Sequence, residues 1–120
     1  MSKDTLVIGV SANSSRYANI LVSKLQEHRI KVFPFGRSKG EVFGLKILNE
    51  WNPDWEVDTV SLYLRADHQK DYYKKIIGLH PRRVIFNPGT ENQEFESLLR
   101  DAGIMSEEAC SLVLLSTGQY

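Results

Sequence analysis

The stretch LVIGVSANSSRYANILVSKL, residues 6–25, opens apolar and β-branched, breaks at Gly9, passes through small hydroxylated residues and becomes amphipathic. Strand, tight turn and helix in that order form the repeating unit of a parallel sheet. TLVIGV, residues 5–10, is apolar on both alternating faces, which predicts a central strand buried from both sides. Ile20, Leu21 and Leu25 then form a helical stripe able to pack on that sheet. The glycine-rich fingerprint of dinucleotide sites is missing from the turn. Two readings stand for SANSSR: Ser14 or Ser15 caps the helix, or the loop holds an anion at the positive end of the helix dipole.

Working outward, the same alternation recurs. IKVFPF predicts a second strand with Pro34 near its end, DTVSLYL a third, RRVIFN a fourth, and Ile104 to Ser106 a short fifth. Between them, DHQKDYYKKIIGLH predicts a helix with Tyr72, Tyr73, Ile76 and Ile77 inward, ended by Gly78 and Pro81. TENQEFESLLRDAG predicts another, with Thr90 as N-cap, Gln93 at the capping-box position, Phe95, Leu98 and Leu99 as the apolar stripe and Gly103 as the stop. Residues 36–58 are irregular, with a short extended piece over 42–48, and a last helical turn falls around Cys110 to Leu115. The predicted fold is α/β: one Rossmann-like, doubly wound parallel sheet of about five strands, order 3-2-1-4-5, with helices on both faces. All 120 residues are expected to form a single domain.

The totals narrow the function. Fifteen basic residues balance fifteen acidic ones, which argues against nucleic acid or a membrane surface as partner. One cysteine forms no internal disulfide, and three scattered histidines lack metal-site spacing. The amino-terminal apolar stretch is too short for a signal peptide, and no run reaches the roughly 18 residues of a membrane span, so the expected location is the cytoplasm. No catalytic constellation stands out, and the expected role is non-catalytic: carrier, sensor or regulatory subunit.

In a sheet of this kind the ligand crevice lies at the carboxyl ends of the strands, beside strand one. Four loops reach it. The first carries Ser11, Ala12, Asn13, Ser14, Ser15 and Arg16, with nothing acidic between Gly9 and Gln26, so Ser11, Asn13, Ser14, Ser15 and Arg16 are candidates to hold a pyrophosphate. The second carries Gly36, Arg37, Ser38 and Lys39, where an NAD site would place an acid for the ribose diol. A basic turn there suits a phosphorylated ribose, as in NADP or coenzyme A; otherwise it is a solvated turn. Leu64 and Arg65 end strand three, and Asn87, Pro88, Gly89 and Thr90 form the fourth loop, where Asn87 can offer an amide and Glu91 disfavours a phosphate.

With these motifs in place, the chain resembles the small stand-alone CoA-binding domain proteins, which are similar to the amino-terminal domain of the succinyl-CoA synthetase alpha subunit. The resemblance runs through VIGVSANSSR, KVFPF, GEVFG, Asp58 in VDTVSLYL, VIFNPGTEN and EEAC, and covers nearly the whole chain. It departs where the family often carries a proline in the first loop, and a Ser-Pro or similar pair where this chain reads GRSKG. The resemblance implies a CoA or acyl-CoA cleft lined by Ser11, Arg16, Arg37 and the turn from Asn87 to Thr90, without the phosphorylatable histidine domain that ligation needs. Cys110 is either a packing residue or, at the cleft mouth, a partner for the CoA thiol. A small NADP-dependent oxidoreductase and a protein-interaction module with an empty cleft are the alternatives. A homo-oligomer or protein partner is left open.

Overall fold

Every residue of the first strand, β1 (Thr5–Ile8), is buried, and its alternating side chains feed two cores. Leu6 and Ile8 pack on one face of the sheet, Val7 on the other. This is why an uninterrupted apolar run is needed here. A computed structural model describes residues 2–120 and arranges around β1 the elements α1 (Tyr17–Glu27), β2 (Val32–Phe35), β3 (Glu41–Val42), β4 (Leu45–Lys46), β5 (Thr59–Leu62), α2 (Tyr73–Leu79), β6 (Arg83–Phe86), α3 (Gln93–Asp101), β7 (Met105–Glu108) and α4 (Ser111–Ser116). The main sheet is parallel throughout, in the order β2-β1-β5-β6-β7. Helices α1 and α4 contribute Leu21, Leu25 and Leu115 to one face; α2 and α3 contribute Ile76, Phe95 and Leu99 to the other. Among the described residues no helix is long and apolar enough to cross a membrane.

The doubly wound parallel sheet is as expected; the position of its third principal strand needs correcting. That strand, β5, pairs with β1 (Leu6 opposite Val60) instead of lying outside β2, so the principal strands run 2-1-3-4-5 in place of 3-2-1-4-5. The reason lies in residues 36–58. After the β3–β4 hairpin the chain returns to the free edge of β2: Leu48 N–H donates to the Pro34 carbonyl (2.8 Å), and Gly36 N–H donates to the Leu48 carbonyl (3.0 Å). The slot beside β2 is therefore filled. Trp51 and Trp55 then pack on Phe35, at 5.4 and 5.9 Å between ring centroids, and carry the chain across that face to the far side of β1. The switch point falls between β1 and β5.

Smaller departures have local causes. The cap of α3 is Asn92, whose Oδ1 accepts from Phe95 N–H at 3.0 Å, because Thr90 turns its hydroxyl back to the Asn87 carbonyl (2.8 Å). The helix predicted over 67–80 begins as two 3₁₀ turns, Ala66–His68 and Lys70–Tyr72. Between them Gln69 is fully buried and donates to the carbonyls of Leu64 (2.7 Å) and Thr90 (2.8 Å). α2 ends on His80 in the left-handed conformation, with Gly78 inside the helix. Leu98 lies outside the apolar stripe of α3 and is 39% exposed. β7 extends two residues beyond the predicted Ser106.

At the amino ends of the strands, opposite the crevice, Arg82 donates twice to Asp58 (2.8 and 3.0 Å) and Thr59 Oγ1 donates once (2.7 Å). Burial alone would raise the Asp58 carboxyl, but these hydrogen bonds and the charges of Arg82 and Arg83 outweigh it, and its pKa is lowered. A folded-state pKa below the unfolded value of about 3.9 contributes stability above that pH, and the contribution is lost as pH falls through the folded value. Asp58→Asn is therefore expected to cost about 1 kcal/mol at pH 7, a modest figure because Arg82 is partly solvated. The gap to wild type should close as urea titrations are repeated at pH values falling below the unfolded value of about 3.9. A gap independent of pH would mean that the ion pair contributes nothing.

Candidate functional site

Two glycines let the carboxyl ends of β1, β2 and β5 approach closely. Gly9 ends β1 with φ +103°, and it and Val10 both donate backbone N–H groups to the Phe35 carbonyl (2.9 and 3.0 Å). Gly36 lies so tightly against the first loop that a β-carbon on it would sit 2.0 Å from the Val10 carbonyl oxygen. First and second loops are thus locked side by side.

The first loop is knit internally by small polar groups. Ser11 Oγ accepts from Asn13 N–H (2.9 Å), and Asn13 Oδ1 accepts from Ser15 N–H (3.0 Å) and from Ser15 Oγ (2.7 Å). Asn19, buried in the first turns of α1, ties the loop down by donating to the Ser11 carbonyl at 2.8 Å. Neither Ser14 nor Ser15 caps the helix: the N-cap is Arg16, without a side-chain cap, and no acid lies in the first turn. The leading N–H groups of α1, at the positive end of its dipole, thus have no side-chain cap and no acid beside them.

Two cavities meet at Gly9 and Ser11. The larger, 520 Å³, is walled by Ile8, Val10, Phe35, Leu64 and Tyr72, with Gly36, Arg37, Ser38 and Asn49 along one side. The smaller, 400 Å³, is lined by Arg16, Tyr17, Ala18 and Tyr63. Each contains one charged residue, and in both it is an arginine. Among the described residues, neither wall carries a histidine, cysteine or carboxylate, and no group of His, Cys, Asp and Glu side chains is placed to hold a metal ion.

Of the residues read from sequence, Ser11, Arg16, Gly36, Arg37, Ser38 and Leu64 come together here. Ala12, Asn13, Ser14, Ser15 and Lys39 lie on the exposed rim of the same loops without lining a cavity. Arg65 turns outward and pairs with Asp67 at 3.0 Å. Asn87 is 1% exposed and fully committed: its amide donates to Ser61 Oγ (2.8 Å) and the Leu62 carbonyl (2.9 Å), and its Oδ1 accepts from Ser111 N–H (2.8 Å). It has no amide hydrogen left to offer a ligand. Pro88 and Gly89 are exposed outside both cavities, and Thr90 is buried in its bond to Asn87. Cys110 precedes α4, is half-buried and lines neither cavity.

Phe35, Asn49, Tyr72, Tyr17 and Tyr63 are among the wall residues the sequence reading missed, with Ile8, Gly9, Val10 and Ala18 beside them. Phe35 and Tyr72 belong to the aromatic cluster with Trp51, so a core assignment is only half of their role. Tyr63 carries the one buried side-chain polar atom without a hydrogen-bond partner among the described residues, and burial pushes its phenol well above the ordinary range. The GEVFG segment forms the β3–β4 hairpin, turning at Phe43 and Gly44, both with positive φ, and packs Val42 against α1. Its tip accepts a hydrogen bond from Gln26 near the far end of α1. It is a brace for α1.

Comparison with known proteins agrees with this fold. One structure, the crystal structure of an uncharacterized protein, is 43% identical and superposes with a TM-score of 0.97 over 100% of this chain and 99% of its own. A hypothetical protein from Pyrococcus horikoshii OT3 (23% identity, TM-score 0.85, 98% of this chain and 84% of the other) shares the fold. So does a Thermus thermophilus protein (22%, 0.82, 98% and 91%). No curated protein matches the sequence. The family model described as a CoA binding domain matches residues 3–116, nearly the whole chain, and the protein belongs to that family.

Proposed function

We propose that the double cleft binds coenzyme A or an acyl-CoA. The pyrophosphate meets the uncapped start of α1, with Ser11 and Arg16; the adenosine enters the apolar cavity between Phe35, Leu64 and Tyr72; and its 3′-phosphate meets Arg37. One observation carries this reading: two adjoining cavities each hold a single charge, both arginines, with no acid in either wall. That pattern suits a nucleotide with two separated phosphate groups and disfavours one whose ribose presents a free diol. Walls without a nucleophile-base pair support binding over catalysis, as in a carrier, sensor or regulatory subunit, and the absence of a disulfide pair fits a cytoplasmic setting.

Thermal shifts with CoA, acetyl-CoA, dephospho-CoA, NADP and NAD at equal concentration test it. At a hundredfold excess over Kd, CoA is expected to add about 2.7 kcal/mol of stability. Dephospho-CoA should add less, and NAD nothing. Arg37→Gln should bring CoA down to the level of dephospho-CoA. A shift with NADP and none with CoA would replace the reading by a dinucleotide one; a flat panel would leave an interaction module.

A further inference from the structure

We infer that Asn49 sets the specificity of the cleft for the 3′-phosphate, by fixing the loop that presents Arg37; this rests on the CoA reading above. The Asn49 amide nitrogen donates to the carbonyls of both Gly36 (2.8 Å) and Ser38 (2.9 Å), the residues on either side of Arg37. Its orientation is unambiguous, since a flipped amide would set an oxygen against two carbonyl oxygens. Asn49 is itself placed by its neighbour Leu48, which hydrogen-bonds in both directions along the edge of β2. On the opposite side the loop cannot slide, because Gly36 is already against Val10. Held from both sides, the turn projects an exposed Arg37 that makes no ion pair among the described residues.

An arginine on a loose loop binds phosphate only in the fraction of conformers that place it correctly, and its apparent affinity falls by that fraction. Asn49 removes this loss. It is a positioning residue, and its effect must appear only with ligands that carry the phosphate.

The experiment is calorimetric titration of CoA and dephospho-CoA into wild type, Asn49→Ala, Asn49→Ser, Arg37→Gln and the Arg37→Gln/Asn49→Ala double variant, with Tm recorded for each. Asn49→Ala is expected to weaken CoA about tenfold and to leave dephospho-CoA essentially unchanged. Asn49→Ser, whose hydroxyl can donate to one carbonyl, should recover part of the loss. In the Arg37→Gln background, Asn49→Ala should cause no further loss, since its effect runs through the absent guanidinium. Equal weakening of both ligands would overturn the inference by making Asn49 a general ligand contact, and so would losses that multiply in the double variant. If wild type does not distinguish CoA from dephospho-CoA, the phosphate reading of Arg37 falls and takes the inference with it. If wild type distinguishes them and Asn49→Ala does so equally well, the inference alone falls.

Discussion

Gly36→Ala is expected to destabilise the protein by about 4 kcal/mol and to abolish ligand binding. The β-carbon would stand 2.0 Å from the Val10 carbonyl oxygen and 3.0 Å from its carbon, and both are backbone atoms that no rotamer change can move. Relief requires the end of β2 to draw away from the first loop. That motion breaks the bonds from Gly9 and Val10 to the Phe35 carbonyl. Each is worth roughly 1 kcal/mol, and the overpacking adds 1–3 more. Separating these two loops also separates Ser11 from Arg37, so the affinity loss has the same cause. Urea denaturation should show a lower midpoint at unchanged slope. Gly78→Ala, in α2 with open space around it, is the control and should cause no loss. A Gly36→Ala cost no larger than the control's would mean that the loops are not locked.

Asn87→Ala is expected to cost about 3–4 kcal/mol while leaving the CoA affinity of the folded protein unchanged. The side chain joins β5, β6 and α4 in one buried network, in which Ser61 and Ser111 also share a hydroxyl contact at 2.8 Å. Removing it leaves the Ser111 N–H at the head of α4 without its acceptor, in a site with no water access. Binding measured well below the reduced Tm separates the two effects. A small stability loss with a large affinity loss would return Asn87 to the ligand.

That residue also shows where reading from sequence stopped. The apolar runs around Val7 and Val84 identify buried parallel strands, because a strand covered on both faces has no polar alternation. They do not encode which strand lies beside which. The order turned on Leu48 occupying the edge of β2, a pairing that depends on where the β3–β4 hairpin folds back. Once β5 lies next to β1, the loop after β5 reaches the crevice and brings Leu64, whereas the loop after β6 stands one strand further out. Asn87 was expected at the cleft from its place in the fourth loop and from the resemblance; in the observed order β6 is separated from β1 by β5. The cap of α3 was misplaced for a similar reason: Thr90 and Asn92 are both good caps, and only the carbonyl of Asn87 decides between them.

Ser11, Arg16 and Arg37 were legible because residue type and loop position sufficed to place them. Asn49 was not, because nothing in LNEW announces that its amide spans two carbonyls more than ten residues back. Phe35 and Tyr72 looked like core residues and are, with one edge of each facing the cavity.

The most direct test of the central claim is ³¹P NMR of CoA titrated with the protein across pH. Bound as proposed, the pyrophosphate signals shift at the start of α1, and the 3′-phosphate shifts with a titration midpoint moved below its free value of about 6, because the Arg37 charge favours the dianion. A 3′-phosphate that titrates as in free CoA, or pyrophosphate signals that do not move, would contradict it.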